Sequence, residues 1–223
     1  WLNGVLLMSP ELRSRKVYGG IEGYVARTLL KACGFTDEEI DRPLVAVVNS
    51  WTNIVPGHVH LDKIAEAVEA GVRMAGGTPF QFHTIAVCDG IAMGHEGMRY
   101  SLPSRDIIAA SIEIMIEAHK FDGMVLVGSC DKIVPGMLIA AAHLDLPTIF
   151  VNGGPMLPGC REGQKLTVSK GSELMFGTMM LGSTDEVVKE TLDLYEYACP
   201  GPGSCQGMYT ANTMGCITEA LGM

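Results

Sequence analysis

Basic side chains are scarce in this sequence. Sixteen Lys and Arg stand against 25 Asp and Glu, for a net charge of −9. A nucleic-acid surface needs clustered cations to neutralise phosphates, so no nucleic-acid partner is expected. Long apolar runs are also missing: none approaches the roughly 20 residues of a membrane helix, and no membrane partner is expected. The opening residues Trp1-Leu2-Asn3-Gly4-Val5-Leu6-Leu7 are short and lack a basic start, so they do not read as a secretory signal. Residues 1–12 are read as a leader or added segment, with Met8 the candidate natural start. There is no low-complexity tract and no repeat of fixed period. The seven cysteines are an odd number in a chain without a signal. That argues against a disulfide framework and for a reducing, cytoplasmic compartment, where thiols are buried, bind metals or catalyse.

What is present suits a packed core: 223 residues, 48% of them hydrophobic, with 27 Gly for tight turns and 14 Met. That is enough for one large or two small domains. Periodicity predicts a helix over 20–33, with Ile21, Tyr24, Val25, Leu29 and Leu30 on one stripe and Gly34 as a stop. A second carries Leu61, Ile64, Ala65, Val68 and Val72, and ends at Gly76-Gly77. A third covers 104–118, with Ile107, Ile108, Ser111, Ile114 and Met115 facing inward. Further helices are expected over 137–144, over 184–197 (opened by Thr184-Asp185-Glu186) and over 210–221. The continuous apolar run over 44–48 reads as a strand covered on both faces, and 80–87, 124–127 and 148–151 read as three further strands. The economical fold is α/β, a mostly parallel sheet with helices on both faces. Residues 159–182 are polar and Gly-rich, an excursion or lid. The chain stops without an obvious tail after its last helix and reads as a fragment.

A polar, Gly-containing segment follows each strand: residues 49–60, 88–97, 128–132 and 152–155. Ligands of open parallel sheets bind beyond the carboxyl ends of the strands. If these strands are neighbours, the four segments share one crevice.

Gly128-Ser129-Cys130-Asp131-Lys132 is the most informative of them. It sets a soft thiol, which suits iron–sulfur or zinc, beside a hard carboxylate, which suits magnesium or manganese. A buried Cys and a solvated Asp-Lys turn are the bland readings; the strand-end position favours ligands. Asp89, in Val87-Cys88-Asp89-Gly90, would alone be a turn residue. Together with Asp131 it makes a hard-cation site. Cys199 and Cys205 lie in a Gly- and Pro-rich segment whose backbone amides can approach a ligand. Its spacing matches neither a zinc ribbon nor a ferredoxin. Cys33 and Cys216 fall in helical patterns and read as core, and Cys160 stays unassigned. His58 and His60, two apart on an extended segment before a helix, point the same way and form a ligand pair, a substrate-positioning pair or a helix start. His95 is placed to contact an acidic substrate. Residues 101–105 read as a helix start that, with Arg105, attracts a carboxylate.

Several long motifs resemble one family, the dihydroxy-acid dehydratases. Asn49-Ser50-Trp51-Thr52-Asn53-Ile54-Val55-Pro56-Gly57-His58-Val59-His60-Leu61 and Cys88-Asp89-Gly90-Ile91-Ala92-Met93-Gly94-His95 resemble its early motifs. Cys130-Asp131-Lys132-Ile133-Val134-Pro135-Gly136-Met137 and the stretch from Gly203-Ser204-Cys205 through Thr213-Met214 resemble its two central signatures. The resemblance runs from about Arg13 to the end and makes residues 13–223 an N-terminal α/β metal-binding domain. It implies dehydration of 2,3-dihydroxy acids to 2-keto acids in branched-chain amino-acid synthesis, with an iron–sulfur cluster and Mg2+. By motif position, Cys130 and Cys205 bind the cluster, while Asp89, Asp131 and a carbamylated Lys132 bind Mg2+. The family's base is a serine of a C-terminal domain, so no catalytic base is expected in this chain and the chain alone should be inactive. Full-length members tend to form homodimers. Many members, above all those with a 2Fe-2S cluster, carry Cys at the position of Gly57; members with Pro-Gly-His appear with 4Fe-4S. Cys199 is the first candidate for the third thiolate and Cys88 the second. The competing readings are a sugar-acid dehydratase of the 6-phosphogluconate type, a non-catalytic α/β binding module and a zinc-thiolate protein.

Overall fold

A computed structural model of the chain describes residues 11–182 and 184–223. The reading of the leader lies almost wholly outside these residues. Three short helices come first: α1 (Arg15–Tyr18), α2 (Tyr24–Ala32) and α3 (Asp37–Ile40). Thr36 and Glu39 close a reciprocal capping box at the start of α3. The alternating part follows: β1 (Leu44–Asn49), α4 (Leu61–Met74), β2 (Thr78–His83), α5 (Asp89–Ala92), a 3-10 turn (Glu96–Tyr100), α6 (Ser101–His119), β3 (Gly123–Gly128), α7 (Ile133–Leu144) and β4 (Thr148–Asn152). A hairpin of β5 (Gly159–Arg161) and β6 (Gln164–Leu166) then leads to α8 (Val168–Leu181), α9 (Asp185–Ala198) and α10 (Thr210–Ala220).

The four main strands are all parallel, in the order β2-β1-β3-β4. The expected α/β architecture is therefore present, with α6 and α7 on one face and α4 on the other. On β1 the side chains alternate. Leu44, Ala46 and Val48 join Met124 and Leu126 against Ile108, Ile112, Ile116, Ile133 and Met137. Val47 joins Val127 against Leu61 and Ala65. Each such fully buried large aliphatic side chain contributes about 1.5–3 kcal/mol. Helices α6 and α7 pack closely at Gly136, where an added Cβ would lie 2.8 Å from the carbonyl oxygen of Arg105. Pro135 sits in the first turn of α7, where its missing N–H costs nothing. Among the described residues no helix is long and apolar enough to cross a membrane.

Several local expectations are corrected. The first long helix starts at Tyr24, and Ile21, Tyr24, Val25 and Leu29 face outward. In α6 the buried positions are Ser101, Ser104, Ile108, Ala109, Ile112 and Ile116; Ile107 and Ile114 are exposed. The helix carries isoleucines on more than one face, so its periodicity fits more than one stripe; the buried one packs against β1, β3 and α7. The second strand begins two residues earlier than expected and stops at His83, where pairing with Asn49 ends. Residues 159–182, expected as an excursion or lid, form a hairpin and a helix.

Candidate metal centre

Register sets where the crevice lies. Asn49 pairs with both His83 and Val127, and Gly128 pairs with Asn152. All four strands therefore finish at nearly the same level, and their following loops leave from one edge. Strand order reverses between β1 and β3, the place where ligands settle in such sheets.

The loops are stitched together by backbone and side-chain hydrogen bonds. The Ser50 amide and hydroxyl both donate to the carbonyl of Val127. The segment before α10 is drawn in from the far end of the chain. Gly203 N donates to Pro56 O at 3.0 Å, Ser204 N to Gly154 O at 2.9 Å, and Met156 N to Ser204 O at 2.8 Å. Gly203 has φ +140°, and a Cβ there would fall 2.3 Å from Met156 N, so only glycine fits. Asn212 Nδ2 donates to the Cys205 carbonyl, and Gln206 Nε2 donates to the carbonyls of Ala198 and Leu157. Cys205 is thus carried on a braced loop beside the ends of β1 and β4.

At the bottom of the crevice Lys132 Nζ lies 2.9 Å from Asp89 Oδ2 and also bonds Asp131 Oδ2. All three side chains are only 15–20% exposed. Ser101 Oγ donates to Asp89 Oδ1 at 2.5 Å, so the first residue of α6 positions that carboxylate. Burial pushes the Asp131 carboxyl upward, but hydrogen bonds with Lys132, Thr210 and Asp89, together with the Lys132 charge, outweigh it and hold it below the usual range. The counterpart holds for Lys132: burial disfavours its charge, yet the two carboxylates raise its pKa. The ammonium stands between two carboxylates as a divalent cation would, so this donor set fits a hard cation.

Three thiols border the same place. Burial raises the Cys130 thiol to about 12, with further upward contributions from Cys88 and Cys205. Cys205 is raised by burial first and also feels Asp131 and Cys88. Cys88, Cys130 and Cys205 are thus within electrostatic reach of one another. Cys199 is raised by burial alone. The loop after β1 meets them at Gly57, where an added Cβ would lie 2.8 Å from Cys130 Sγ and 3.3 Å from Ser204 Cα. Among the described residues no three His, Cys, Asp or Glu side chains converge on a single-ion position. The three thiols are soft donors of the kind that iron–sulfur clusters and zinc take.

The profile described as "Dihydroxy-acid/6-phosphogluconate dehydratase N-terminal" matches residues 42–223. The chain belongs to that family. It is 56% identical over 212 residues to a protein named dihydroxy-acid dehydratase from Pyrococcus abyssi, covering 95% of this chain and 38% of the relative. It is 58% identical over 213 residues to one of the same name from Caldicellulosiruptor saccharolyticus, with the same shares covered. The chain therefore spans well under half the length of the curated relatives it matches.

Within this member of the family the remaining predicted site residues fall in different places. His58 and His60 do not lie on an extended segment; the chain turns there, and the rings diverge. His58 is wholly buried, its Nδ1 2.6 Å from Ser50 O, and burial lowers its pKa to about 4. His60 Nε2 contacts Gly153 O at 2.8 Å. Both histidines tie loops together. His95 is exposed; its Nδ1 accepts from Gly97 N and its Nε2 contacts Ile91 O. It lines a cavity of about 270 Å³ with Ile54, Val87, Cys88 and Ile91. Arg105 pairs with its neighbour Asp106. Sequence reasoning missed the part played by Thr210 and the bracing by Asn212 and Gln206. Their place within the second central signature was the only signal for them.

Proposed function

We propose that this chain is the metal-binding domain of a hydro-lyase that converts 2,3-dihydroxy-3-methyl acids to 2-keto acids in valine and isoleucine synthesis. The observation that carries the reading is Lys132 joining Asp89 and Asp131 beside Cys130, with two more thiols near. Relatives that bear the enzyme's name support it. Cys130 and Cys205 would hold the iron–sulfur cluster, and Asp89, Asp131 and carbamylated Lys132 would hold Mg2+. When bound, the pair supplies Lewis acidity toward the substrate's carboxylate and hydroxyl oxygens.

The chain's own residues do the rest. Ser101 and Thr210 hold the two carboxylates in place. The stitched loops hold the thiol-bearing segments in place, and Gly57 and Gly203 let backbone approach where side chains would collide. The cavity beside Cys88 and Asp89 is lined mainly by apolar groups, which suits a branched alkyl acid better than a phosphorylated sugar acid. No base for removal of the C2 proton is assigned to this chain, which spans 38% of its relatives' length. It is therefore expected to bind metals without turnover, the whole protein acting as a cytoplasmic homodimer.

Anaerobic reconstitution with iron and sulfide tests the reading. A brown protein is expected, with charge-transfer absorption and stoichiometric iron and sulfide, and without keto-acid release from 2,3-dihydroxy-3-methylbutanoate. A colourless protein, or one that takes up zinc alone, would overturn it. Tighter Mg2+-dependent binding of 6-phosphogluconate than of the branched acid would move the assignment to the sugar-acid class.

A further inference from the structure

Two strand ends each present a Cys followed by an Asp: Cys88-Asp89 beyond β2 and Cys130-Asp131 beyond β3. The Asp residues share one cation, because Lys132 bonds both. That bond pins the two doublets together although they are 42 positions apart (130 minus 88). The Cys preceding each Asp is thereby held at the same edge of the crevice. The third thiol arrives with the Cys205 loop, whose placement beside Pro56 and Gly154 comes from Gly203 and Ser204. Gly57 occupies the remaining wall with backbone only, so the loop after β1 offers no sulfur.

Cys199 is followed by Pro200 and has no Asp to tie it to Lys132. It caps the end of α9, one residue beyond Ala198. Cys88 and Cys205 both act on the Cys130 thiol, whereas burial alone raises that of Cys199.

We propose that Cys88, not Cys199, is the third protein thiolate of the iron–sulfur cluster in this chain, taking the place that Gly57 leaves without sulfur. The inference rests on the cluster reading above. It makes the Cys-Asp doublet a unit: each doublet gives its sulfur to the cluster and its carboxylate to the neighbouring hard cation. On ligation each thiol releases its proton to solvent as sulfur binds iron, so no oxidant is needed.

The whole chain, reconstituted anaerobically with ferrous iron and sulfide, provides the test. Cys88→Ser should lose the charge-transfer band and most of its iron and sulfide, and Cys199→Ser should keep those of the unmodified chain. Alkylation mapping of the unmodified chain needs no variant. Cluster loading should protect Cys88, Cys130 and Cys205 from iodoacetamide and leave Cys199 as reactive as before. A Cys88 that alkylates equally with and without cluster would overturn the inference, as would full cluster retention in Cys88→Ser. Failure of the unmodified chain to take up any cluster would remove the proposed function as well, so the two failures are separable.

Discussion

Gly203 lies against Met156 so closely that a Cβ on it would stand 2.3 Å from the Met156 backbone nitrogen. The contact lays the Cys205 loop beside the end of β4, and the positive φ of Gly203 also excludes an ordinary side chain. Gly203→Ala is expected to destabilise the chain by about 2–4 kcal/mol in urea denaturation. It should also abolish cluster uptake, because Cys205 would no longer face Cys130. An alanine variant as stable as the parent would refute the close packing.

Lys132 neutralises two carboxylates that would otherwise repel each other. Lys132→Met should cost about 1–3 kcal/mol at pH 7, since it strands two partly buried charges. Stability should return at acid pH, since burial favours a protonated Asp131 once Lys132 is gone, or when Mg2+ is added at pH 7. Denaturation curves at the two pH values, with and without Mg2+, decide this; a loss indifferent to both would mean that the lysine acts only through packing.

His58 refuses a proton that the unfolded chain accepts, because burial lowers its pKa from 6.5 to about 4. Above about pH 6.5 the group is neutral in both states and its contribution to stability is complete. As pH falls toward 4 the unfolded chain gains the proton first, and stability declines by roughly 3 kcal/mol from this group. His58→Gln should flatten that part of the stability–pH curve. An unchanged slope between pH 6.5 and 4 would count against the buried neutral ring.

Burial and two neighbouring thiols raise Cys130 from 9.0 to about 12, which leaves about a thousandfold less thiolate at neutral pH than an ordinary cysteine has. In the metal-free chain iodoacetamide should label the exposed Cys33 and Cys216 well before Cys130. Peptide mapping over time reads this directly, and early labelling of Cys130 would contradict its burial.

Strands β1 and β3 were legible because strands buried on both faces are written as unbroken apolar runs; β4, an edge strand with Ile149 exposed, showed only as a short apolar stretch. Helices α4 and α9 were legible through their spacing and their end signals, such as Gly76 and Thr184. The inward stripe of α6 was not, since isoleucines on more than one face fit more than one stripe. The hairpin and α8 were hidden because their short polar strands carry no strong period.

For the site, local sequence already named Cys130, Asp131 and Lys132 as a metal-type cluster at a strand end, because soft and hard donors seldom stand together without a ligand to share. Which distant residues join them is a different kind of question. Asp89 meets Lys132 across 43 positions, and Cys88 comes with it to the edge of the sheet where Cys130 stands. Strand order and register produce those meetings, and spacing along the chain carries no record of them, because a parallel sheet brings its strand ends together whatever length of chain lies between.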